Sequence, residues 1–201
     1  MQQETKKKRG RPKTFDREHT ITIAMNLYWS KGVDGVSLNE ICNLAGVSKP
    51  SLYREFGSED GLMKEVLIRY RSKILEPVFE MLKSPGSFRI NLNRLIELNT
   101  EEHPGMPKGC LFVKMRGDKL KLETETRKQI EVIQRDLLAT YSEWINRAKL
   151  NGEFPGNIDS EFAASYISSQ MGFARNQQAR GESVSQNRAV LEMALSVFDM
   201  E

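Results

Sequence analysis

Histidine and cysteine are scarce in this 201-residue chain, which contains only two of each. His19 and His103 lie far apart in the sequence, and Cys42 and Cys110 do not have the spacing of a metal motif. The nucleophile-elbow, zinc-protease, P-loop and glycine-rich dinucleotide signatures are missing as well. We therefore expect a protein that is not an enzyme, needs no metal or cofactor, and has thiols suited to a reducing compartment.

Long hydrophobic runs are also missing. No apolar stretch approaches the roughly 20 residues that a helix needs to cross a bilayer, and the basic N-terminus lacks the apolar part of a secretory signal. With 39% hydrophobic and 28% charged residues, the chain has enough apolar side chains to bury a core. The sequence therefore predicts no membrane partner and a cytoplasmic location.

The net charge of +3 is distributed unevenly. Residues 1–13 carry six Lys or Arg residues and one Glu, a local net charge of +5, which leaves −2 for the other 188 residues. Residues 1–14 are polar and aperiodic, so we expect a disordered basic arm that attracts phosphate groups.

The clearest pattern is in residues 36–57, VSLNEICNLAGVSKPSLYREFG, which predict two short helices joined by a tight turn. Ser37 and Glu40 have the spacing of a capping box for the first helix, and Gly46 is suited to end it. Ser48 is placed to cap the second helix. Two capped helices with a turn of about three residues are what a DNA-reading helix-turn-helix requires.

Apolar periodicity predicts further helices and no strand, so we expect an all-α fold of about nine helices. Outside the motif, the predicted helices span about 16–31, 58–82 with an interruption near Pro77, 87–100, a short segment from Cys110, 124–150, 159–179 and 183–198.

A spaced series of residues within 15–65 carries a family likeness: Leu27-Tyr28, Gly32, Val36-Ser37, Ile41, Ala45-Gly46-Val47-Ser48, Ser51-Leu52-Tyr53, Phe56 and Leu62. The series resembles the N-terminal domain of the TetR family of bacterial transcriptional regulators. The resemblance implies a basic arm at 1–14, a three-helix DNA-binding domain at 15–60, and a helical effector-binding and dimerisation domain at 61–201. Where the family usually has Ser-Lys-Glu, this chain has Ser58-Glu59-Asp60, so a lysine contact to phosphate is not expected there.

The second helix of the motif should read the DNA. Leu52 and Phe56 are four residues apart and should face the core. Basic side chains can bind guanine or phosphate, while hydroxyl groups usually reach phosphates. The candidate DNA contacts of the motif are Ser37, Ser48, Lys49, Ser51, Tyr53 and Arg54. The alternative is an ordinary core helix pair with solvated charges.

The basic arm contains an Arg-Gly-Arg-Pro core that resembles an AT-hook. Arg9, Arg11 and Lys13 are candidate DNA contacts, because a narrow minor groove has an enhanced negative potential and Gly10 lets the backbone approach. The alternative is a disordered tail that adds only phosphate attraction.

The last two predicted helices could form a dimer interface. In the family these helices pair with their copies as a four-helix bundle, so the resemblance implies a homodimer that reads a palindromic operator. The candidate interface residues are Phe162, Tyr166, Met171, Val190, Leu191, Ala194 and Val197.

The long central helices could enclose a cavity for a small-molecule effector. Aromatic and Met side chains suit apolar or cationic ligands. The candidates are Cys110, Phe112, Met115, Tyr141, Trp144 and Phe173, with core packing as the alternative for each.

Cys110 belongs to a Gly-Cys-Leu segment that is similar to one in a subset of the family. Lys114 and Arg116 follow it and would favour a reactive thiolate that senses oxidants or electrophiles. The alternative is a buried, inert thiol at a helix start.

The leading hypothesis is a homodimeric transcriptional repressor in the bacterial cytoplasm and nucleoid, released from its operator by a small-molecule effector. One alternative is an architectural DNA-binding protein without an effector, which would have a filled core. A small-molecule enzyme is the weaker alternative.

Overall fold

The computed structural model describes residues 15–199, and all regular secondary structure in this range is helical. The α-helices are α1 (Arg17–Lys31), α2 (Leu38–Ala45), α3 (Lys49–Phe56), α4 (Glu59–Tyr70), α5 (Glu76–Lys83), α6 (Phe88–Thr100), α7 (Leu111–Gly117), α8 (Thr124–Leu150), α9 (Ser160–Arg180) and α10 (Val184–Leu195). A π-helical turn, Arg71–Leu75, joins α4 and α5 into one rod, so residues 15–199 form nine helical rods. The predicted all-α fold is confirmed. The predicted basic arm, with Arg9, Arg11 and Lys13, lies outside the described residues.

The first four helices begin at local side-chain caps. Asp16, Ser37, Ser48 and Ser58 each accept a hydrogen bond, 3.0–3.3 Å long, from the backbone N–H three residues later. Gly46 has a φ of 66°, in the left-handed region that glycine adopts without strain, and ends α2. Each of these bonds joins near neighbours in the chain, which is why the sequence pattern could locate the helix ends.

Only half of the predicted capping box forms. Ser37 caps the N–H of Glu40, but the Glu40 carboxylate pairs with Lys31 of α1 at 2.5 Å. An ion pair with a residue of another helix has replaced the reciprocal bond within α2. The Glu40 side chain therefore joins α2 to α1.

The interruption predicted near Pro77 lies slightly earlier, at the turn Arg71–Leu75. Pro77 is in the first turn of α5 and has no N–H to donate to the preceding turn. Its ring cannot approach the carbonyl of residue 73 as closely as a regular helix requires. The backbone adjusts by widening, and the Glu76 N–H bonds to the Arg71 carbonyl five residues earlier.

Two hydrophobic clusters form the core, and α8 contributes to both. The first cluster contains buried residues of α1 to α4, of α7 and of the first half of α8, including Ile130 and Ile133. The second contains residues of α5, α6, α9 and α10 and of the second half of α8, including Trp144 and Ile145. The helix-turn-helix therefore shares its core with α7 and α8. None of the helices within residues 15–199 has both the length and the apolar character needed to cross a membrane.

Candidate nucleic-acid interface and internal cavity

Helix α3 presents a polar face to solvent. Leu52 and Phe56 are buried in the first hydrophobic cluster, as their spacing predicts. Lys49, Tyr53 and Arg54 lie on the exposed side of the same helix. The packing of α3 thus leaves these three side chains free to meet a partner.

The basic residues of α3 are not neutralised by the surrounding protein. Within residues 15–199, neither Lys49 nor Arg54 has an ion-pair partner, whereas Arg17 of α1 pairs with Glu55 and Glu65. A cation without an internal partner remains available for phosphate or for a base edge.

The predicted serine contacts lie at helix starts. Ser37 and Ser48 are exposed caps of α2 and α3. Ser51 is half-buried, and its hydroxyl accepts a hydrogen bond from Ser48 at 2.9 Å. These hydroxyl groups lie at the positive ends of helix dipoles, where anions are stabilised.

Asp60, one of the residues that depart from the family pattern, is directed into the protein. It is only 5% exposed. Its carboxylate accepts hydrogen bonds from the Glu125 N–H at 2.8 Å, the Thr126 N–H at 2.9 Å and the Thr126 hydroxyl at 2.5 Å. Burial by itself would raise the pKa of Asp60, but these hydrogen bonds outweigh burial and lower it. Sequence patterns could not identify this cap, because its partners are 65 and 66 residues away.

A cavity of about 600 Å³ lies on the far side of α1 and α4 from the helix-turn-helix, among the helices that follow the motif. Residues of α1, α4, the turn Arg71–Leu75, α5, α6, the loop 102–110, α7, α8 and α9 line it. Trp29 of α1 and Tyr70 of α4 are both in its wall and pack edge to face, with ring centroids 5.0 Å apart. Its volume lies within the range of small-molecule sites, about 300–1,000 Å³.

The structure places three of the six candidate effector residues in this cavity. Cys110, Phe112 and Tyr141 line it. Met115 and Trp144 are buried side chains of the hydrophobic clusters that do not line this cavity. Trp144 stacks on Phe88 with ring centroids 4.5 Å apart.

Phe173 does not line the cavity either. It is 47% exposed. The side of α9 that faces the cavity carries Ser168, Met171, Gly172 and Arg175, at helical spacings of three and four. Position 173 follows Gly172 by about 100° around the helix, so its side chain points away.

Cys110 is a buried thiol at the start of α7. Its sulfur accepts a hydrogen bond from the Tyr70 hydroxyl at 3.1 Å. Burial, followed by the proximity of Cys110, raises the pKa of Tyr70. The Lys114 ammonium donates to the carbonyl of Trp29, and burial lowers the pKa of Lys114. This lysine therefore serves the contact between α7 and α1.

The predicted dimer residues fall into two groups. Phe162, Val190 and Val197 are exposed on α9, on α10 and just after α10. Met193 of α10, which the sequence prediction missed, is 78% exposed. Together these side chains form an apolar surface on the last two helices.

Two other predicted dimer residues are buried within the chain itself. Met171 and Leu191 belong to the second hydrophobic cluster, so their assignment to a seam between subunits is wrong. The Tyr166 hydroxyl donates to the carbonyl of half-buried Ala194 at 2.9 Å and joins α9 to α10. Both α9 and α10 use one side for packing within the chain and expose the other. Both sides carry apolar residues, so the sequence did not distinguish them.

A polar chain that sequence reasoning did not find connects α1 to α9 beside the cavity. The Trp29 indole N–H donates to the Gly109 carbonyl at 3.2 Å, and the Gly109 N–H donates to the side-chain oxygen of Gln178 at 3.1 Å. Arg175 donates to the same oxygen at 3.1 Å. Gly109 has a φ of 82°, and a Cβ at this position would lie 2.8 Å from the Cβ of Ala179. The sequence shows that the loop contains a glycine, but no short pattern predicts the hydrogen-bond partners of Gly109, which are 69 and 80 residues away.

Comparison with known proteins relates both the local motif and the whole fold to bacterial regulators. The model of the tetR family of bacterial regulatory proteins matches residues 21–66. The HTH-type transcriptional repressor ComR of Escherichia coli (strain K12) is 45% identical over 65 residues, which cover 32% of this chain and 31% of ComR. The aligned part thus spans about a third of the length of that relative.

Two solved structures share the fold over nearly the full chain. A cysteine mutant of the TetR family transcriptional regulator CifR, complexed with 26bp double-strand operator DNA, has a TM-score of 0.80 and 23% identity; the match covers 94% of this chain and 100% of CifR. The reduced form of Escherichia coli NemR also has a TM-score of 0.80, with 22% identity, and the match covers 92% of this chain and 97% of NemR. At such identities the similarity establishes the fold.

Proposed function

We propose that this chain, whose residues 21–66 match the model of the tetR family of bacterial regulatory proteins, is a homodimeric transcriptional repressor that leaves a palindromic operator when a small molecule fills its cavity. The observation that carries this proposal is the cavity wall. Trp29 and Tyr70 belong both to this wall and to the core that supports the reading helix α3. A ligand that touches these rings therefore touches the helices that position α3.

The proposed DNA contacts are the exposed residues of the helix-turn-helix. Arg54 and Lys49 would bind base edges or phosphates, because neither has an ion-pair partner within residues 15–199, and the exposed Tyr53 hydroxyl would bind phosphate. Ser37, Ser48 and Ser51 would add hydrogen bonds at the starts of α2 and α3. Arg9, Arg11 and Lys13, outside the described residues, would supply the electrostatic attraction that residues 36–57, with no net charge, lack.

The proposed dimer uses the exposed apolar surface of α9 and α10. Phe162, Val190, Met193 and Val197 would meet their copies across a twofold axis. Such a dimer presents two reading helices to half-sites about 34 Å apart, or a multiple of this distance. Release follows if the ligand stabilises a conformation in which this spacing is wrong.

The cavity favours a regulator over an architectural protein without an effector. A protein that only bends or coats DNA needs no internal space, whereas residues 15–199 enclose about 600 Å³. We propose the division into an arm at 1–14, a DNA-binding domain at 15–60 and an effector and dimerisation domain at 61–201, with the protein acting on the nucleoid in the cytoplasm.

Selection of DNA from a random duplex library tests the proposal. We expect the purified full chain to enrich an inverted repeat, which it then binds as a dimer in fluorescence anisotropy. Enrichment of no common sequence, with binding that depends only on salt, would support the architectural alternative instead.

A further inference from the structure

The cavity carries more positive than negative charge. Its lining contains four Lys or Arg side chains, those of Lys73, Lys108, Arg116 and Arg175, together with His103, and one carboxylate, that of Glu102. Lys108 pairs with Glu102 at 2.5 Å, and Lys73 is exposed to solvent. The half-buried guanidinium groups of Arg116 and Arg175 therefore determine the charge of the interior.

Arg116 of α7 has only neutral partners within residues 15–199. It donates to the side-chain oxygen of Gln134 at 2.6 Å, and its guanidinium carbon lies 5.6 Å from the ring centroid of Phe112. A Cβ at position 172 would lie 3.4 Å from its Nη2 atom. Gly172, in the middle of α9, thus leaves room for this guanidinium against the helix backbone.

Arg175 lies three residues after Gly172 on the same side of α9, and both arginines line the cavity. It donates to the side-chain oxygens of Asn99 and Gln178, each at 3.1 Å. No carboxylate of residues 15–199 pairs with either arginine. Shielding two cations from water without a counter-ion is unfavourable, and an anion in the cavity would relieve that cost.

A third polar group lies in the same cavity. Tyr141 is 3% exposed, and its hydroxyl has no hydrogen-bond partner within residues 15–199. Burial raises the pKa of Tyr141, so at neutral pH its hydroxyl is a proton donor. Apolar side chains of Phe79, Leu137 and Met171 form part of the remaining wall.

We infer that the cavity takes an amphipathic organic anion, whose carboxylate binds Arg116, Arg175 and the Tyr141 hydroxyl and whose apolar body packs on the remaining wall. This inference rests on the proposed role of the cavity as the effector site. It differs from the expectation of an apolar or cationic ligand, because a cation would meet two guanidinium groups. Charge-assisted hydrogen bonds to a carboxylate are the contacts that arginine favours.

Matched pairs of acids and amides test the inference directly. The probes are hexanoate, decanoate, dodecanoate and 3-phenylpropanoate, each compared with its primary amide, and binding to the full chain at pH 7.5 is measured by calorimetry. We expect at least one acid to bind about tenfold more tightly than its amide, as one or two charge-assisted hydrogen bonds would produce. Trp29 lies in the wall, so its fluorescence gives a second measure of the same binding.

Single substitutions then identify the groups responsible. Arg116→Gln and Arg175→Gln should each weaken the preferred acid about tenfold and leave its amide within about twofold. Arg94→Gln removes an exposed arginine of α6 outside the cavity and should change neither. Should an arginine variant fail to fold, Tyr141→Phe removes one donor with little change in shape and should still weaken the acid selectively.

The result that overturns the inference is one in which no acid binds more tightly than its amide, including the case in which none of them binds. An equal loss in Arg94→Gln would also overturn it. DNA binding separates this outcome from failure of the proposed function. If an amide releases the selected duplex as well as its acid does, the proposed regulatory function is supported and the inference of an anionic ligand is wrong. If the wild-type chain selects no DNA, the proposed regulatory function itself is wrong.

Discussion

The Asp60 carboxylate caps the start of α8 at Thr126, 66 residues further along the chain. Residue Glu123, at the N-cap position of α8, makes no side-chain cap bond. The free N–H groups of α8 are therefore satisfied by a residue from the first turn of α4. Lys64 of α4 and Glu125 of α8 reinforce the contact at 3.1 Å, so α4 and α8 are held together where the reading domain meets the long helix.

Removing this cap should destabilise the protein. Asp60→Ala leaves the N–H groups of Glu125 and Thr126 without their acceptor, and we expect the free energy of unfolding to fall by about 2 kcal/mol. Glu123→Ala is the matched control, because it removes a carboxylate from the formal N-cap position, where it makes no cap bond. Urea unfolding followed by circular dichroism measures both. Equal losses in the two variants would contradict the assignment of the cap to Asp60.

The same carboxylate should make stability depend on pH in the acid range. The pKa of Asp60 is lower in the folded protein than its unfolded value of about 3.9. Its contribution is therefore fully present above the unfolded pKa and is lost as the pH falls through the folded pKa. The stability difference between the wild type and Asp60→Asn should stay constant near neutral pH and shrink below about pH 4. Urea titrations between pH 7 and pH 3 measure it, and a difference that grows on acidification would refute the prediction.

Substitution of Arg54 should weaken the binding of the selected DNA duplex. Arg54 is exposed on α3 and has no ion pair within residues 15–199, so Arg54→Ala should cost about 1–3 kcal/mol of binding free energy. Tyr53→Ala should weaken binding through a lost phosphate contact. Arg94→Ala removes the same charge from α6 and should bind DNA as the wild type does. Fluorescence anisotropy at a fixed salt concentration compares the three variants, and wild-type affinity in Arg54→Ala and Tyr53→Ala would rule out the proposed reading face.

A charge on the apolar surface of α9 and α10 should separate the subunits. Met193→Glu would bury a carboxylate in the proposed interface, and we expect the dissociation constant of the dimer to rise at least about tenfold. Leu120→Glu places the same charge on a leucine that is exposed between α7 and α8. Sedimentation velocity reports the mass of each variant. The interface is misplaced if Met193→Glu stays dimeric, or if Leu120→Glu dissociates equally.

Gly109 should not tolerate a side chain. Alanine there would adopt a φ of 82° and place its Cβ 2.8 Å from the Cβ of Ala179. We expect Gly109→Ala to lower the free energy of unfolding by about 1–3 kcal/mol and to disturb the Trp29 environment through the lost indole bond. Gly117→Ala, where a Cβ meets nothing within 4 Å, should be neutral. Thermal unfolding and tryptophan fluorescence distinguish the two, and a neutral Gly109→Ala would show that the loop can relax.

The parts of the candidate site that could be predicted depend on short spacings. The caps Ser37 and Ser48, the end of α2 at Gly46 and the inward side of α3 all involve residues within a few positions of one another. The lining of the cavity was predicted only in part. Phe112 and Trp144 are both buried aromatic residues of the hydrophobic clusters, yet only Phe112 also lines the cavity.

The sequence by itself determined the helical class, the helix-turn-helix and the surplus of positive charge in its first 13 residues. These features follow from local hydrogen bonding and apolar periodicity, which adjacent residues are sufficient to specify. Only the tertiary structure decided that Asp60 caps α8 and that Arg116 and Arg175 line one cavity in which no carboxylate of residues 15–199 pairs with either of them. Such contacts join residues dozens of positions apart, and which partners meet depends on how whole helices pack rather than on any short pattern.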